Sequence, residues 1–261
     1  MNCIFCSSTE KLHTIEHIVP ESLGNKKYTL TKGAICQDCN NRFSKFEDKA
    51  LSQTVLGMER ARLAVKTKKD KPASSKIGNI QIRGSEDFEK NLINLKGVKS
   101  AVVTNVDSKT GALTLQIRVP GFDKSEVATS KLLLKIGFEA LYQSRRKFFK
   151  NYNFSDLTDY LTTKTNDDWP FITIKNDTYK YQKILKHDIK NIRYLIKQSC
   201  MLRIREVDKD TLLFKFEYGG FKAVINLINR DLKWMEDYYN YGLAGGIYPE
   251  RFEKELNKNV C

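Results

Sequence analysis

A chain of 261 residues exceeds what one compact core usually needs, at roughly 100–200 residues per domain, so two domains or one domain with a small appended module is the first expectation. With 41% hydrophobic and 11% aromatic residues it can bury a sizeable core, which excludes a wholly disordered chain; 5 prolines and 14 glycines are too few for a collagen-like or linker-dominated architecture. Forty-five Lys and Arg against 31 Asp and Glu leave a net charge of +14, which favours polyanionic partners because each neutralised phosphate releases condensed counterions.

Residues 1–66 hold ten Lys and Arg against seven Asp and Glu, so most of the excess falls on the remainder of the chain. No window approaches about 18–20 uninterrupted apolar residues, so no membrane span is expected. The start, MNCIFCSSTEKLH, lacks the basic flank and apolar run of a signal peptide, which points to the cytoplasm.

Four of the six cysteines fall in two Cys-x-x-Cys pairs, Cys3/Cys6 and Cys36/Cys39. Without a secretion signal this pattern reads as a zinc site rather than a disulfide framework. Two thiolates three residues apart can turn toward one ion in a tight knuckle, and two knuckles supply the four soft ligands of a tetrahedral structural Zn²⁺ at ~2.3 Å. The alternative is four unrelated buried or redox-active thiols. Cys200 reads as a core residue and Cys261 as an exposed, inert one. The 29 residues between Cys6 and Cys36 exceed the usual zinc-ribbon gap, so they should carry structure of their own.

That segment contains His13-Thr14-Ile15-Glu16-His17-Ile18-Val19-Pro20. Its β-branched content and closing proline predict a short strand over 14–19, and Leu23-Gly24-Asn25 marks a turn before a second strand over 29–35. After Cys39, Phe43, Phe46 and Ala50 recur at helical spacing, predicting an amphipathic helix capped by Asn40 or Asn41. The order is knuckle, strand with a Glu-His pair, strand, knuckle, helix: a ββα unit stapled by metal.

With Cys-x-x-Cys, Glu-His-Ile-x-Pro and Cys-x-x-Cys-Asn in this order, residues 1–66 resemble the zinc-stapled members of the HNH endonuclease family. The resemblance implies that His17 is the general base activating water, and that Glu16 and Asn40 hold one divalent metal, Mg²⁺ or Mn²⁺, against the scissile phosphate. It implies DNA as substrate, 5′-phosphate and 3′-hydroxyl ends, and a setting in restriction or anti-phage defence. Three positions depart from the family pattern. Glu16 stands where Asp is frequent, Asn40 where His is frequent, and Thr31 where the Asn that braces the inter-strand loop is expected.

The residue types suit that chemistry on their own terms. An imidazole titrates near ~6.5, so it can accept a proton from water at neutral pH. Mg²⁺ and Mn²⁺ take carboxylate and amide oxygens and can neutralise charge developing on a leaving oxygen. Neighbouring strand residues face opposite ways, so Glu16 and His17 share one site only if the strand is bulged or the metal sits at its edge. Arg42 and Lys45, near the helix start, are candidates to grip flanking phosphates. His13 reads as a surface residue, and Glu47 and Asp48 as a solvated face or as partners for a nearby Arg. His187 lies among lysines, far from the motif.

Beyond this module, residues 52–65 read as a continuing helix and 66–76 as a basic linker, with a target-recognition or regulatory domain over 77–261. Strands are expected at 80–83, 101–106, 112–119, 171–175, 199–207, 211–218 and 221–227. Helices are expected at 127–152, 155–163 and 231–241. The fold class is therefore α+β throughout. Arg145-Arg146-Lys147 and the Tyr-Lys mixture at 178–186 combine cations with aromatics in a manner suited to phosphates and bases. This domain would read a DNA sequence, a modified base or a small-molecule signal, and cutting both strands would take a homodimer or two successive nicks. The competing readings are a non-catalytic zinc-finger module that binds nucleic acid, and an RNA-directed nuclease.

Overall fold

The computed structural model describes residues 2–99, 101–111, 113–117, 121–122, 124–163, 168–175, 194–196 and 200–259. The Tyr-Lys mixture at 178–186, His187 and Cys261 lie outside the described residues. The fold is α+β, as the sequence patterning predicts, and no helix among the described residues is long and apolar enough to cross a membrane.

In the N-terminal module the two arms expected as strands meet in a single antiparallel bridge, His17 with Thr29. Two backbone hydrogen bonds flank it, Leu30 N–H to Glu16 C=O at 2.8 Å and Ile18 N–H to Tyr28 C=O at 3.1 Å. The ladder stops there because Pro20 has no N–H and opens a 3₁₀ turn, Glu21–Leu23, while the return arm tightens into a turn at Thr31, whose carbonyl accepts from Ala34 N–H. Helix α1, Gln37–Ser52, starts earlier than the expected Asn40 cap. Cys36 is the N-cap, its sulfur accepting from Cys39 N–H at 3.5 Å, so Asn40 lies inside the first turns.

The helix expected over 52–65 is interrupted. Thr54 caps a separate helix α2, Val55–Arg62, with its hydroxyl accepting from Leu56 N–H. The stretch expected as a linker is tied down rather than free. Lys66 bridges Pro72, Ala73 N–H bonds Val65 C=O, and strand β1, Ser74–Ile77, begins within it. Its lysines are exposed, but Pro72 and Ala73 are buried, and it was the side chains that gave it a linker composition. Strands β1, β2 (Ile80–Gly84) and β3 (Ile93–Lys96) form an antiparallel sheet under α2, with Ala61, Ile77 and Ile82 at the contact. Strands β4 (Val102–Val106) and β5 (Leu113–Gln116) form the expected hairpin.

The long helix is also shorter than its apolar pattern suggests. It runs as α3, Glu126–Ser144, breaks at Arg145 (φ −144°, ψ 53°), and resumes as one turn, α4, Arg146–Phe149; α5 follows at Ser155–Thr162. A six-stranded antiparallel sheet comprises β6 (Phe171–Ile174), β7 (Tyr194–Ile196), β8 (Cys200–Asp208), β9 (Thr211–Tyr218), β10 (Phe221–Asn226) and β11 (Ala244–Tyr248), in the order β11-β6-β10-β9-β8-β7. The β8–β9–β10 meander matches the strands expected at 199–207, 211–218 and 221–227, whereas β11 and the final helix, α7 (Arg251–Asn259), are additional to them. Helix α6, Lys233–Asn240, and α7 cover one face of this sheet through Trp234, Met235, Tyr238, Phe252 and Leu256.

Helix α3 covers the other face and is the structural axis of the molecule. It packs against α1 on one side and against β8, β9 and β10 on the other, so a single core runs from the cysteine knuckles to the sheet. Gly137 permits the close approach: a Cβ there would lie 2.7 Å from the Phe214 ring and 2.8 Å from Leu227. Gly137→Val is therefore expected to lower the unfolding free energy by about 1–3 kcal/mol, since overpacking outweighs any gain in helix propensity. Thermal or urea unfolding measures this directly, and an unchanged midpoint would contradict the packing described.

Candidate functional site

The two knuckles are brought together by backbone contacts. Ser7 takes φ 59° and its N–H returns to Cys3 C=O, closing the first knuckle, and Ile4 N–H bonds Ala34 C=O, docking it on the second. The sulfurs of Cys3, Cys6, Cys36 and Cys39 all lie within 4.8 Å of one another, with Cys6 and Cys36 at 3.6 Å. Four ligands at ~2.3 Å in a tetrahedron lie about 3.8 Å apart, so this spacing fits zinc. Cys36 N–H also points at the Cys3 sulfur at 3.4 Å, a donor suited to thiolate. The thiol chemistry agrees. Hydrogen bonding from Cys39 draws the Cys3 thiol down to about 4, and the same contact pushes Cys39 far up. Three of the sulfurs are on buried residues; Cys6 is exposed. Cys200 lies apart from them in the core, where burial pushes its thiol up.

The knuckle also anchors the module to the rest of the chain. Phe5 packs edge-on against Phe43 of α1 at 4.7 Å and against Phe138 of α3 at 4.9 Å.

His17 is half-buried, on the bridge between the two arms, and among the described residues its imidazole has no hydrogen-bond or ion-pair partner. Its ring is neither buried in the apolar core nor tied to a carboxylate. His13 is exposed and also unpartnered.

Loop bracing falls to a residue the sequence patterning did not single out. Asn25 is buried, and its amide donates to Val19 C=O at 2.7 Å and Tyr28 C=O at 2.8 Å while accepting from Lys27 and Tyr28 N–H. Thr31, where that Asn was expected, is exposed and bonds Gln143 at the end of α3 and Arg146 at the start of α4 instead. The signal was an Asn directly after a turn glycine, a pairing that favours side-chain-to-backbone bonds as well as the turn itself.

On α1, the Asn40 side chain is half-buried and has no partner among the described residues; Arg42 and Lys45 are exposed and equally free. An unpartnered amide oxygen is a donor that suits a hard divalent cation.

Glu16 is placed differently from its neighbour. Its carboxylate turns inward, 8% exposed, and accepts from the Lys135 ammonium of α3 at 2.6 Å. Lys135 is fully buried and also meets Glu47 of α1 at 2.7 Å and Glu139 of its own helix at 3.4 Å. Burial alone would pull Lys135 down, but Glu139, Glu47 and Glu16 hold it well above the usual lysine range, so it is charged. Burial pushes the Glu139 carboxyl well up, and the Lys135 ammonium pulls it partly back. Glu47, expected on a solvated face or beside an arginine, is thus an ion-pair partner of a lysine 88 positions away. Among the described residues the four cysteines are the only cluster of three or more His, Cys, Asp or Glu side chains placed to share an ion.

No curated protein and no solved structure matches the chain. Residues 3–56, from the first knuckle cysteine into α2, match the model of the HNH endonuclease family.

Proposed function

We propose that the chain is a metal-dependent endonuclease that hydrolyses DNA phosphodiester bonds, with His17 as general base. The observation that carries this reading is an unpartnered, half-buried imidazole held at a braced bridge beside a four-sulfur clamp, inside a module that matches the HNH endonuclease family. His17 takes the proton from the attacking water, and the two backbone bonds flanking it hold the ring's strand in place while it does so. Asn40 would supply an amide oxygen to a divalent cation, Mg²⁺ or Mn²⁺, whereas the carboxylate of Glu16, expected from the family pattern as the second oxygen donor, is engaged by Lys135. When bound, that cation would neutralise charge developing on the phosphate and the leaving 3′ oxygen. Arg42 and Lys45 contact flanking phosphates. The products carry 5′-phosphate and 3′-hydroxyl ends, and restriction or anti-phage defence is the setting.

A cleft of about 730 Å³ lies beside the 3₁₀ turn, lined by Lys26, Lys66, Lys68 and Lys90 together with Glu21 and Asp70. Lys26 and Lys90 are exposed and unpaired among the described residues. The double variant Lys26→Glu/Lys90→Glu is expected to weaken duplex binding and to flatten the salt dependence of log K by about two. Fluorescence anisotropy across a salt series measures it, and an unchanged slope removes the cleft from the interface.

The test of the whole reading is plasmid nicking with Mg²⁺ or Mn²⁺ against a chelator, with single-stranded RNA as competitor. Preferential inhibition by RNA would transfer the activity to that substrate. One observation favours a second reading, a non-catalytic nucleic-acid-binding module: the Glu16 carboxylate is engaged by Lys135.

A further inference from the structure

Lys135 interrupts an apolar run, Leu132-Leu133-Leu134-Lys135-Ile136, in a helix buried on most of its surface. A lysine there is costly to desolvate and persists only when its charge is matched. The match comes from two separate elements of the nuclease module. Glu16 is adjacent to His17 on the bridge arm, and Glu47 lies two helical turns after Asn40 on α1, near the same face of that helix. The ammonium reaches both, at 2.6 and 2.7 Å.

We propose that Lys135 is a positioning residue of the nuclease site. By clamping Glu16 and Glu47 it fixes the arm that carries His17 against the helix that carries Asn40, and at Glu16 it takes the place a metal ion was expected to hold. The proposal rests on the nuclease reading above. Because neighbouring residues of an extended arm face opposite ways, holding Glu16 inward turns His17 to the other face. The peptide between them is pinned by Leu30 N–H on Glu16 C=O, so the arm has little freedom to rotate. Without the ammonium, the Glu16 and Glu47 carboxylates would face each other in a dry interior, and their repulsion would push the arm away from α1. Helix α3 also rests on the six-stranded sheet through Gly137, so the same lysine ties the nuclease module to the C-terminal half of the chain.

The experiment uses the whole 261-residue chain, zinc-loaded, and three variants: Glu16→Gln, Lys135→Met and the double variant. Three readouts are taken: plasmid nicking, Mn²⁺ affinity by calorimetry, and the His17 ring resonance in a histidine ring NMR spectrum, which is simple because the chain has 3 histidines. Glu16→Gln still accepts from Lys135 through its amide oxygen, so Mn²⁺ affinity, nicking and the ring resonance stay close to wild type. Lys135→Met moves the ring resonance and lowers kcat about 100-fold, the scale of a small misplacement of a reacting group. The double variant is relieved of the unmatched Glu16 charge but still lacks the clamp, so its ring stays displaced and its kcat stays low.

A loss of Mn²⁺ affinity of about tenfold or more in Glu16→Gln would make Glu16 a metal ligand and overturn the proposal. So would a Lys135→Met protein with an unmoved ring and wild-type nicking. Should Lys135→Met not fold, the double variant is compared with Glu16→Gln, and recovery of a wild-type ring position in both without the lysine counts against the clamp. If wild-type protein nicks nothing, the nuclease reading falls, while the ring resonance still decides whether Lys135 positions His17.

Discussion

Plasmid incubated with His17→Ala protein and Mg²⁺ is expected to stay supercoiled under conditions in which wild-type protein converts it to the nicked form. A positioned general base contributes typically about 10²–10⁴-fold, and the loss should fall on kcat rather than on DNA affinity. The structure explains why the defect should be so confined. The His17 imidazole has no partner among the described residues whose loss would leave a buried group unsatisfied, and the backbone bonds of Glu16 and Ile18 that flank it survive truncation at Cβ. The variant should therefore melt with the wild type and bind duplex with the same salt dependence. Unchanged nicking by His17→Ala would remove the base from His17 and leave the module a binding element. A fall in melting temperature with lost nicking would instead assign the imidazole a structural part.

The features legible in the sequence are those set by local chemistry. Two Cys-x-x-Cys pairs specify a metal site because each knuckle closes within a few residues, and the β8–β9–β10 meander is visible because apolar, β-branched and aromatic runs are bounded by turn residues at 208–210 and Gly219-Gly220. What was not legible depends on distant partners. Glu16 and Lys135 are 119 positions apart, and only the placing of one charge in the apolar stripe of α3 hints that a buried countercharge must exist. The 66–76 stretch has the composition of a flexible linker, yet Pro72 and Ala73 are held by Lys66 and Val65 across a turn. Strand β11 carries Gly245 and Gly246, which depress strand propensity; they are tolerated because a Cβ at Gly245 would meet Thr173 of the adjacent strand at 2.9 Å. The cap of α1 was misplaced for a related reason, since a metal-site cysteine does the work usually assigned to Asn or Ser.

That double duty of Cys36 makes the zinc site separable from helix capping by experiment. Serine is among the best N-cap residues, so Cys36→Ser keeps an acceptor for Cys39 N–H while removing one of four sulfurs. If the sulfur mattered only as a cap, the variant would melt with the wild type. If the four sulfurs hold zinc, binding to the folded state alone stabilises it by about 4 kcal/mol at a thousandfold excess over Kd, and that stabilisation is lost. The damage should also spread, because Phe5 of the first knuckle is wedged between Phe43 and Phe138, and α3 carries the contact on to the six-stranded sheet. Cys36→Ser, or wild-type protein stripped with a strong chelator, is thus expected to show a large fall in melting temperature and a weakened near-ultraviolet signal from the aromatic core. Metal analysis of wild-type protein should find a single zinc per chain, released by a thiol-modifying mercurial. Cys200, buried away from the cluster, provides the contrast: Cys200→Ser should keep the full zinc content. A Cys36→Ser protein with undiminished zinc and an unchanged melting temperature would show that the four sulfurs do not act as one site, and the scaffold holding His17 would then owe its shape to packing alone.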